Sequence, residues 1–144
     1  MRCKQISIPT TITVDRIAVN IQGAGSAGAV VRLGIYESNN GVPGALVLDA
    51  GTVDTTSTGT KTITISQTLA AGYYYLAAVG QVEGCTISGN AYSASQQIVP
   101  INGTFHVGQA LVSYEKSGVT GALPDPLNPS TISNVYPNIQ LRLA

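Results

Sequence analysis

Val30-Val31-Arg32-Leu33-Gly34-Ile35-Tyr36-Glu37-Ser38-Asn39-Asn40-Gly41-Val42-Pro43-Gly44-Ala45-Leu46-Val47-Leu48 is the stretch that decides the fold class. Val31, Leu33 and Ile35 alternate with Arg32, Gly34 and Tyr36, the period of a strand with one face buried. Ser38-Asn39-Asn40-Gly41 then supplies residues that tolerate positive φ, and Pro43-Gly44 adds a second break. From Ala45 to Ala50 the alternation resumes, which predicts Leu46, Leu48 and Ala50 on one side. Two strands joined by an Asn-Gly turn make a hairpin, and the rest of the chain reads as further strands around it.

Toward the N-terminus, residues 5–9 form a short strand with Ile6 and Ile8 on one face. Residues 11–22 form a longer one whose apolar phase changes: Ile12 and Val14 are even, Ile17, Val19 and Ile21 odd. A slip of one residue near Asp15-Arg16 must absorb the change, which predicts a bulge. Gly23 to Gly28 is a loop. Its Gly-x-Gly-x-x-Gly spacing formally matches a dinucleotide fingerprint, but a strand follows where that motif needs a helix.

Toward the C-terminus, residues 49–59 end a strand and connect to the next. Over residues 61–69, Ile63, Ile65 and Leu69 alternate with Thr62, Thr64 and Ser66. Ala70-Ala71-Gly72 is a turn. Tyr73-Tyr74-Tyr75-Leu76-Ala77-Ala78-Val79 is continuously apolar, as in a central strand covered on both faces. Strands are expected at residues 96–100, 104–107 and 110–114. Residues 118–137 form a long loop, because Pro124, Pro126 and Pro129 exclude a central strand or a helix interior. The chain closes with Ile139, Leu141 and Leu143 on one face of a strand. No segment keeps helical spacing beyond two turns. The expected fold is all-β: one domain over residues 1–144, an antiparallel β-sandwich, jelly-roll-like, of about eight strands.

Charged residues are only 10% of the 144, with seven basic and seven acidic, while 44% are apolar. Thr, Ser, Asn, Gln and Gly supply the polarity. A balanced, sparse charge argues against nucleic acid as a partner, because nothing would release its counterions. No apolar run reaches the ~18 residues of a membrane helix, so no membrane insertion is expected. Met1-Arg2-Cys3-Lys4-Gln5-Ile6 lacks the apolar core of a secretion signal. Cys3 and Cys85 match no metal spacing, and two free thiols are expected.

Catalytic chemistry is not visible. His106 is the single histidine, and no Gly-x-Ser-x-Gly elbow is present. Asp15, Glu37, Asp49, Asp54, Glu83, Glu115 and Asp125 form no recognisable acid–base pair and read as turn and cap residues. Asp49 and Asp54 flank Gly51, but no Asp-x-Asp-x-Asp-Gly series marks a calcium loop. No catalytic residue, metal ligand or cofactor is expected. Among seven tyrosines, Tyr73, Tyr74 and Tyr75 read as core, whereas Tyr92 in Gly-Asn-Ala-Tyr-Ser reads as an exposed ring.

At Thr13-Val14-Asp15-Arg16-Ile17-Ala18-Val19 the chain begins to resemble the jelly-roll-like C-terminal domains of tailed-bacteriophage tail and tail-fibre proteins. The resemblance continues through Arg32-Leu33-Gly34-Ile35-Tyr36, Pro43-Gly44-Ala45-Leu46 and Asp49-Ala50-Gly51-Thr52-Val53. It runs on through the stretch from Gly59 to Ile65, then Leu69-Ala70-Ala71-Gly72-Tyr73-Tyr74-Tyr75-Leu76-Ala77, and ends at Pro137-Asn138-Ile139-Gln140-Leu141-Arg142-Leu143. It implies a non-enzymatic virion protein, made in the host bacterial cytoplasm and homotrimeric, that binds other virion proteins and host-surface carbohydrate. The alternative is a structural capsid-decoration, head-fibre or tail-assembly adaptor protein. Recognition would fall on the long loops, residues 80–95 and 118–134, with Asn90, Tyr92, Gln96 and Asp125 as the contact residues.

Overall fold

The computed structural model describes residues 1–82, 84–91, 113–133 and 135–144. They form twelve strands: β1 (Arg2–Ile8), β2 (Ile12–Gly23), β3 (Val30–Asn39), β4 (Val42–Asp54), β5 (Gly59–Leu69), β6 (Gly72–Gln81), β7 (Thr86–Ile87), β8 (Gly89–Ala91), β9 (Ser113–Glu115), β10 (Thr131–Ser133), β11 (Val135–Pro137) and β12 (Ile139–Leu143). Five of them, β7 to β11, have only two or three residues, too few to show an alternation in sequence. β10 and β11 fall inside the expected loop of residues 118–137, so its irregular part ends at Ser130. The strands expected at residues 96–100 and 104–107, together with His106, Tyr92 and Gln96, lie outside the described residues.

One sheet has the order β10-β9-β1-β6-β3-β4; a second has β12-β2-β5, with β7 also paired to β2; β11 and β8 form a ribbon. Every pairing is antiparallel. The two larger sheets face each other across Val14, Ile17, Val19 and Ile21 from β2, Val31, Leu33 and Ile35 from β3, and Leu76 and Ala78 from β6. Ile63, Ile65, Ile139 and Leu141 close the margins of this core. The chain is an antiparallel β-sandwich. Each fully buried aliphatic side chain adds ~1.5–3 kcal/mol of transfer free energy, so the alternation alone commits the strands to these faces.

The phase slip in β2 sits where the sequence requires it. Val14 pairs with Gln67 and Arg16 with Thr64, so the ladder shifts at Asp15, and Val14 and Ile17 are both fully buried. The hairpin turn is Asn40-Gly41, with φ of 50° and 82°. Positive φ at both central residues is the two-residue type I′ pattern, whose twist matches the strands it joins. Pro43 does not break β4: it lies within the strand, opposite Ser38, at the edge of the sheet, where no second partner needs its missing N–H.

β4 departs from the expected alternation. Tyr36 pairs with Leu46 and Ile35 with Leu48, leaving Val47 as an extra residue; Ala50 is extra between Gly51 and Asp49. Leu46 therefore packs on the outer cluster, whereas Leu48 and Ala50 pack on the inter-sheet core. Between β12 and β2 the extra residue is Asp15, since Arg142 pairs with Arg16 and Leu143 with Val14; Leu143, expected on the inward face, is 63% exposed.

β6 is central, between β1 and β3, and Tyr75 through Val79 are all buried. Leu76 and Ala78 face the sandwich core, while Tyr75, Ala77 and Val79 face outward into a second cluster with Cys3, Tyr36, Leu123 and Leu127. Of the three tyrosines read as core, Tyr75 is buried and Tyr74 is half-buried against the sandwich core. Tyr73, at the strand's open end, is 54% exposed.

The proline-rich segment supplies the outer layer. Leu123 lies over Gly34, where a Cβ would overlap its Cδ1. The Tyr36 hydroxyl donates to the Pro124 carbonyl at 2.9 Å, the Leu127 amide to Gly44 O at 2.9 Å, and the Leu46 amide to Asp125 Oδ1 at 2.9 Å. Asp49 accepts from Arg32 Nε at 2.8 Å and from the Leu123 amide at 3.1 Å. Prolines cannot pair in a ladder, so this segment meets the sheet through side chains and isolated backbone bonds instead.

Candidate functional site

The second sheet presents a mainly polar outer face. β5 exposes Thr60, Thr62, Thr64, Ser66 and Thr68; β2 contributes Thr13, Arg16, Ala18 and Asn20; β12 contributes Gln140 and Arg142. These are the residues out of phase with the core, so the alternation that turns Ile63 and Val19 inward also turns hydroxyls and amides outward.

A groove opens in this face where two strands meet end to end along β2. β12 starts at Ile139, opposite Val19, and β7 ends at Ile87, opposite Ile21, so Asn20 faces the gap between them. The groove has a volume of about 230 Å³ and is lined by Ala18, Val19, Asn20, Thr60, Ser88, Asn138 and Gln140. Backbone bonds fix its rim: the Ser88 amide donates to Asn20 O at 2.8 Å and the Asn138 amide to Ser88 O at 2.9 Å.

The side chains are oriented as well. Asn20 Nδ2 donates to Ser88 Oγ at 2.7 Å, which leaves the Asn20 carbonyl as an acceptor and frees the Ser88 O–H to donate. Asn90 Nδ2 donates to Asn138 Oδ1 at 2.7 Å, which turns the two Asn138 N–H donors outward. The rim thus offers both donors and acceptors, and no ionisable group lines it. Further along the face Arg142 Nε donates to Asp15 Oδ1 at 2.8 Å, a bond that holds the Asp15 carboxyl below its usual range, and Arg16 donates to the Asp15 backbone carbonyl.

Of the four residues expected as contacts, Asn90 does not line this groove but bonds Asn138, which does. Asp125 does not: it caps the Leu46 amide of β4, on the other sheet. Tyr92 and Gln96 lie outside the described residues. Sequence reading missed Asn20, Thr60, Ser88, Asn138 and Gln140. Asn20, Thr60 and Gln140 have one sequence signal, membership of the outward phase of β2, β5 and β12, which many other polar residues share; Ser88 and Asn138, in the links between strands, have none.

The described carboxylates are dispersed rather than paired. Asp49 is held by Arg32, Asp15 by Arg142, and Glu115 by Arg2 at 3.2 Å, while Asp54 accepts from the Thr56 hydroxyl at 2.8 Å. Asp49 and Asp54 do not converge on a cation site: Asp49 Oδ1 accepts from Arg32 and the Gly51 amide. Cys3 and Cys85 are free thiols packed on opposite faces of the six-stranded sheet. Burial pushes the Cys3 thiol up to about 12, against the opposing effect of its bond to Tyr114 O, so it stays protonated and unreactive near neutrality. A second cleft, of about 240 Å³, lies between the six-stranded sheet and the β8–β11 ribbon. Its walls are mostly apolar, and Arg2 and Glu115 are among its lining residues. Among the described residues no helix is long and apolar enough to cross a membrane.

Comparison of the chain with protein-family models, with curated proteins and with solved structures finds no match.

Proposed function

We propose that this chain is a non-enzymatic module of a phage particle, a tail-fibre or spike component, that binds a neutral host-surface glycan. The phage assignment rests on the ordered stretches of sequence resemblance. One observation carries the ligand class: the neutral groove formed by Asn20, Thr60, Ser88, Asn138 and Gln140. A sugar hydroxyl both donates and accepts, and oriented amides beside hydroxyls match that need without charge. The groove is smaller than the ~300–1,000 Å³ of pockets that enclose drug-sized ligands, so it suits one sugar ring rather than a buried oligomer. Affinity for a single ring would be weak, and several copies on one particle would act through avidity.

The test is a glycan array and a host-cell adsorption assay with the protein as assembled, beside Asn138→Ala and Gln140→Ala. Each hydrogen bond adds ~0.5–1.5 kcal/mol, so each variant weakens glycan binding roughly two- to tenfold. Absence of any glycan binding, or binding that neither substitution alters, sinks the reading. The structural alternative, a capsid-decoration or assembly protein, is favoured by a different feature, the open edge of β5. Placement of the chain at regular capsid positions in a particle map would decide for it.

A further inference from the structure

The sandwich is open along one side, where β4 ends one sheet and β5 ends the other. The two edges differ. β4 carries Pro43 and three register shifts, features that spoil a strand edge as a template. β10 has three residues, and β12 has five with a shift near its end. β5 has eleven residues without proline, pairs only with β2 among the described residues, and bears one charge, Lys61. Along its inner face Ile63 and Ile65 are only half-buried, as are Val47, Leu48 and Ala50 of β4 beside them. β5 has one register shift against β2, with Ile65 and Ser66 opposite Asp15, but its inward–outward alternation runs through it unbroken. A long, sparsely charged edge above half-buried apolar side chains is a surface for strand addition.

The sequence of the edge indicates what fits it. Thr60-Lys61-Thr62-Ile63-Thr64-Ile65-Ser66-Gln67-Thr68 is palindromic in residue class about Thr64. In an antiparallel pairing of two copies centred there, Thr60 faces Thr68, Thr62 faces Ser66 and Thr64 faces its own image, all on the outer face. On the inner face Ile63 meets Ile65, and Lys61 meets Gln67 rather than another lysine. Hydroxyl faces hydroxyl, apolar faces apolar, and no like charges meet, which are the cross-strand pairs that stabilise a sheet.

We infer that the β5 edge is a self-association site, where a second copy of this chain adds its own β5 antiparallel across a two-fold axis at Thr64. The contact is isologous: each copy gives and receives the same surface, and it closes at two chains. Nine facing residues form roughly nine backbone hydrogen bonds. The pairing makes one continuous six-stranded sheet from two β12-β2-β5 sheets and joins the two polar outer faces edge to edge. It also covers Ile63 and Ile65. The contact shares Thr60 with the rim of the groove but requires no glycan, and it differs from the threefold assembly implied by the phage resemblance.

The test uses the full chain in sedimentation equilibrium from roughly 1 µM to 1 mM, a range that brackets weak to moderate dissociation constants. The wild type is expected to pass from one to two times 14.8 kDa. Two double variants then probe the register, Thr62→Lys with Ser66→Lys and Thr62→Glu with Ser66→Glu. Each alone places like charges in facing positions about 5 Å apart and is expected to stay monomeric, whereas a one-to-one mixture restores a mixed dimer. Hydrogen exchange on the wild type needs no variant: amide protection across residues 60–68 should rise with concentration. A wild type that is monomeric throughout overturns the inference. So does an oligomer of any size that persists in both double variants, or a mixture that fails to re-form dimers while each variant stays folded.

Discussion

The seat of Leu123 on Gly34 couples the proline-rich segment to the middle of the six-stranded sheet, and that coupling has a measurable size. Leu123 is 5% exposed, and a Cβ at residue 34 would overlap its Cδ1 and lie 2.8 Å from Leu48 O. Leu123→Ala removes a buried side chain, a change that costs ~2–5 kcal/mol; an irregular segment can settle partly into the gap, so the lower half of that range is expected. Gly34→Ala should cost ~1–3 kcal/mol, the usual penalty of overpacking, although alanine on its own favours a strand over glycine by ~0.5–1 kcal/mol. In the double variant the clash with Leu123 disappears and only that with Leu48 O remains. The two effects should therefore fall short of their sum by about 1 kcal/mol, within the range for residues in contact. Urea unfolding followed by circular dichroism measures all four corners of the cycle, with the m-value checking that the unfolded state is unchanged. Additivity within ~0.3–0.5 kcal/mol would refute the reasoning, since it is what independent sites give.

Three further outcomes follow from single groups. Burial would raise the Asp49 carboxyl, but the Arg32 bond, the Leu123 and Gly51 amides and the Arg32 charge outweigh it and hold the group below its usual range. A depressed carboxyl contributes stability that is fully present above its unfolded value of ~3.9 and is lost as pH falls through the folded value. Asp49→Asn should therefore flatten the acid side of the stability–pH curve, and an unchanged acid limb in pH-dependent melting would contradict this. Tyr75 donates its buried hydroxyl to Gly41 O at 2.6 Å, in the hairpin turn. Tyr75→Phe should cost ~1–2 kcal/mol in denaturant unfolding by leaving that carbonyl unpaired. Thr55 is fully buried and its Oγ1 has no partner among the described residues. Thr55→Val should hold or raise the melting temperature, because an unsatisfied buried hydroxyl costs ~1–3 kcal/mol; a clear fall would show that the hydroxyl has a partner.

The long strands β1 to β6 and β12 were legible in the sequence, with the facing of most of them, whereas the two- and three-residue strands β7, β8, β10 and β11 were not. Ile63, Ile65 and Leu69 alternate cleanly with hydroxyls, and the phase change around Asp15 could only be a slip, since a strand's side chains have a period of two. The continuous run from Tyr73 to Val79 reads as covered on both faces, which holds from Tyr75 to Val79 and fails at the strand's open end. The hairpin turn was legible too, because positive φ at two successive positions needs residues such as Asn40 and Gly41.

Tertiary structure alone decided the rest. The bulges at Val47 and Ala50 leave no trace in a stretch where both phases are apolar, so the side taken by Leu46 follows from Tyr36 across the ladder. Strand neighbours are non-local: β1 joins β6 and β9, from distant parts of the chain, and periodicity contains no such information. The candidate groove shows the same limit. Asn20, Thr60, Ser88 and the pair Asn138 and Gln140 come from four separate stretches, and none of these polar residues stands out in its own stretch. They become a site only because β7 and β12 stop short of each other along β2, leaving a gap that hydroxyls and amides surround. Alternation assigns a side chain to a face; only the packing of several strands places five such side chains around one space.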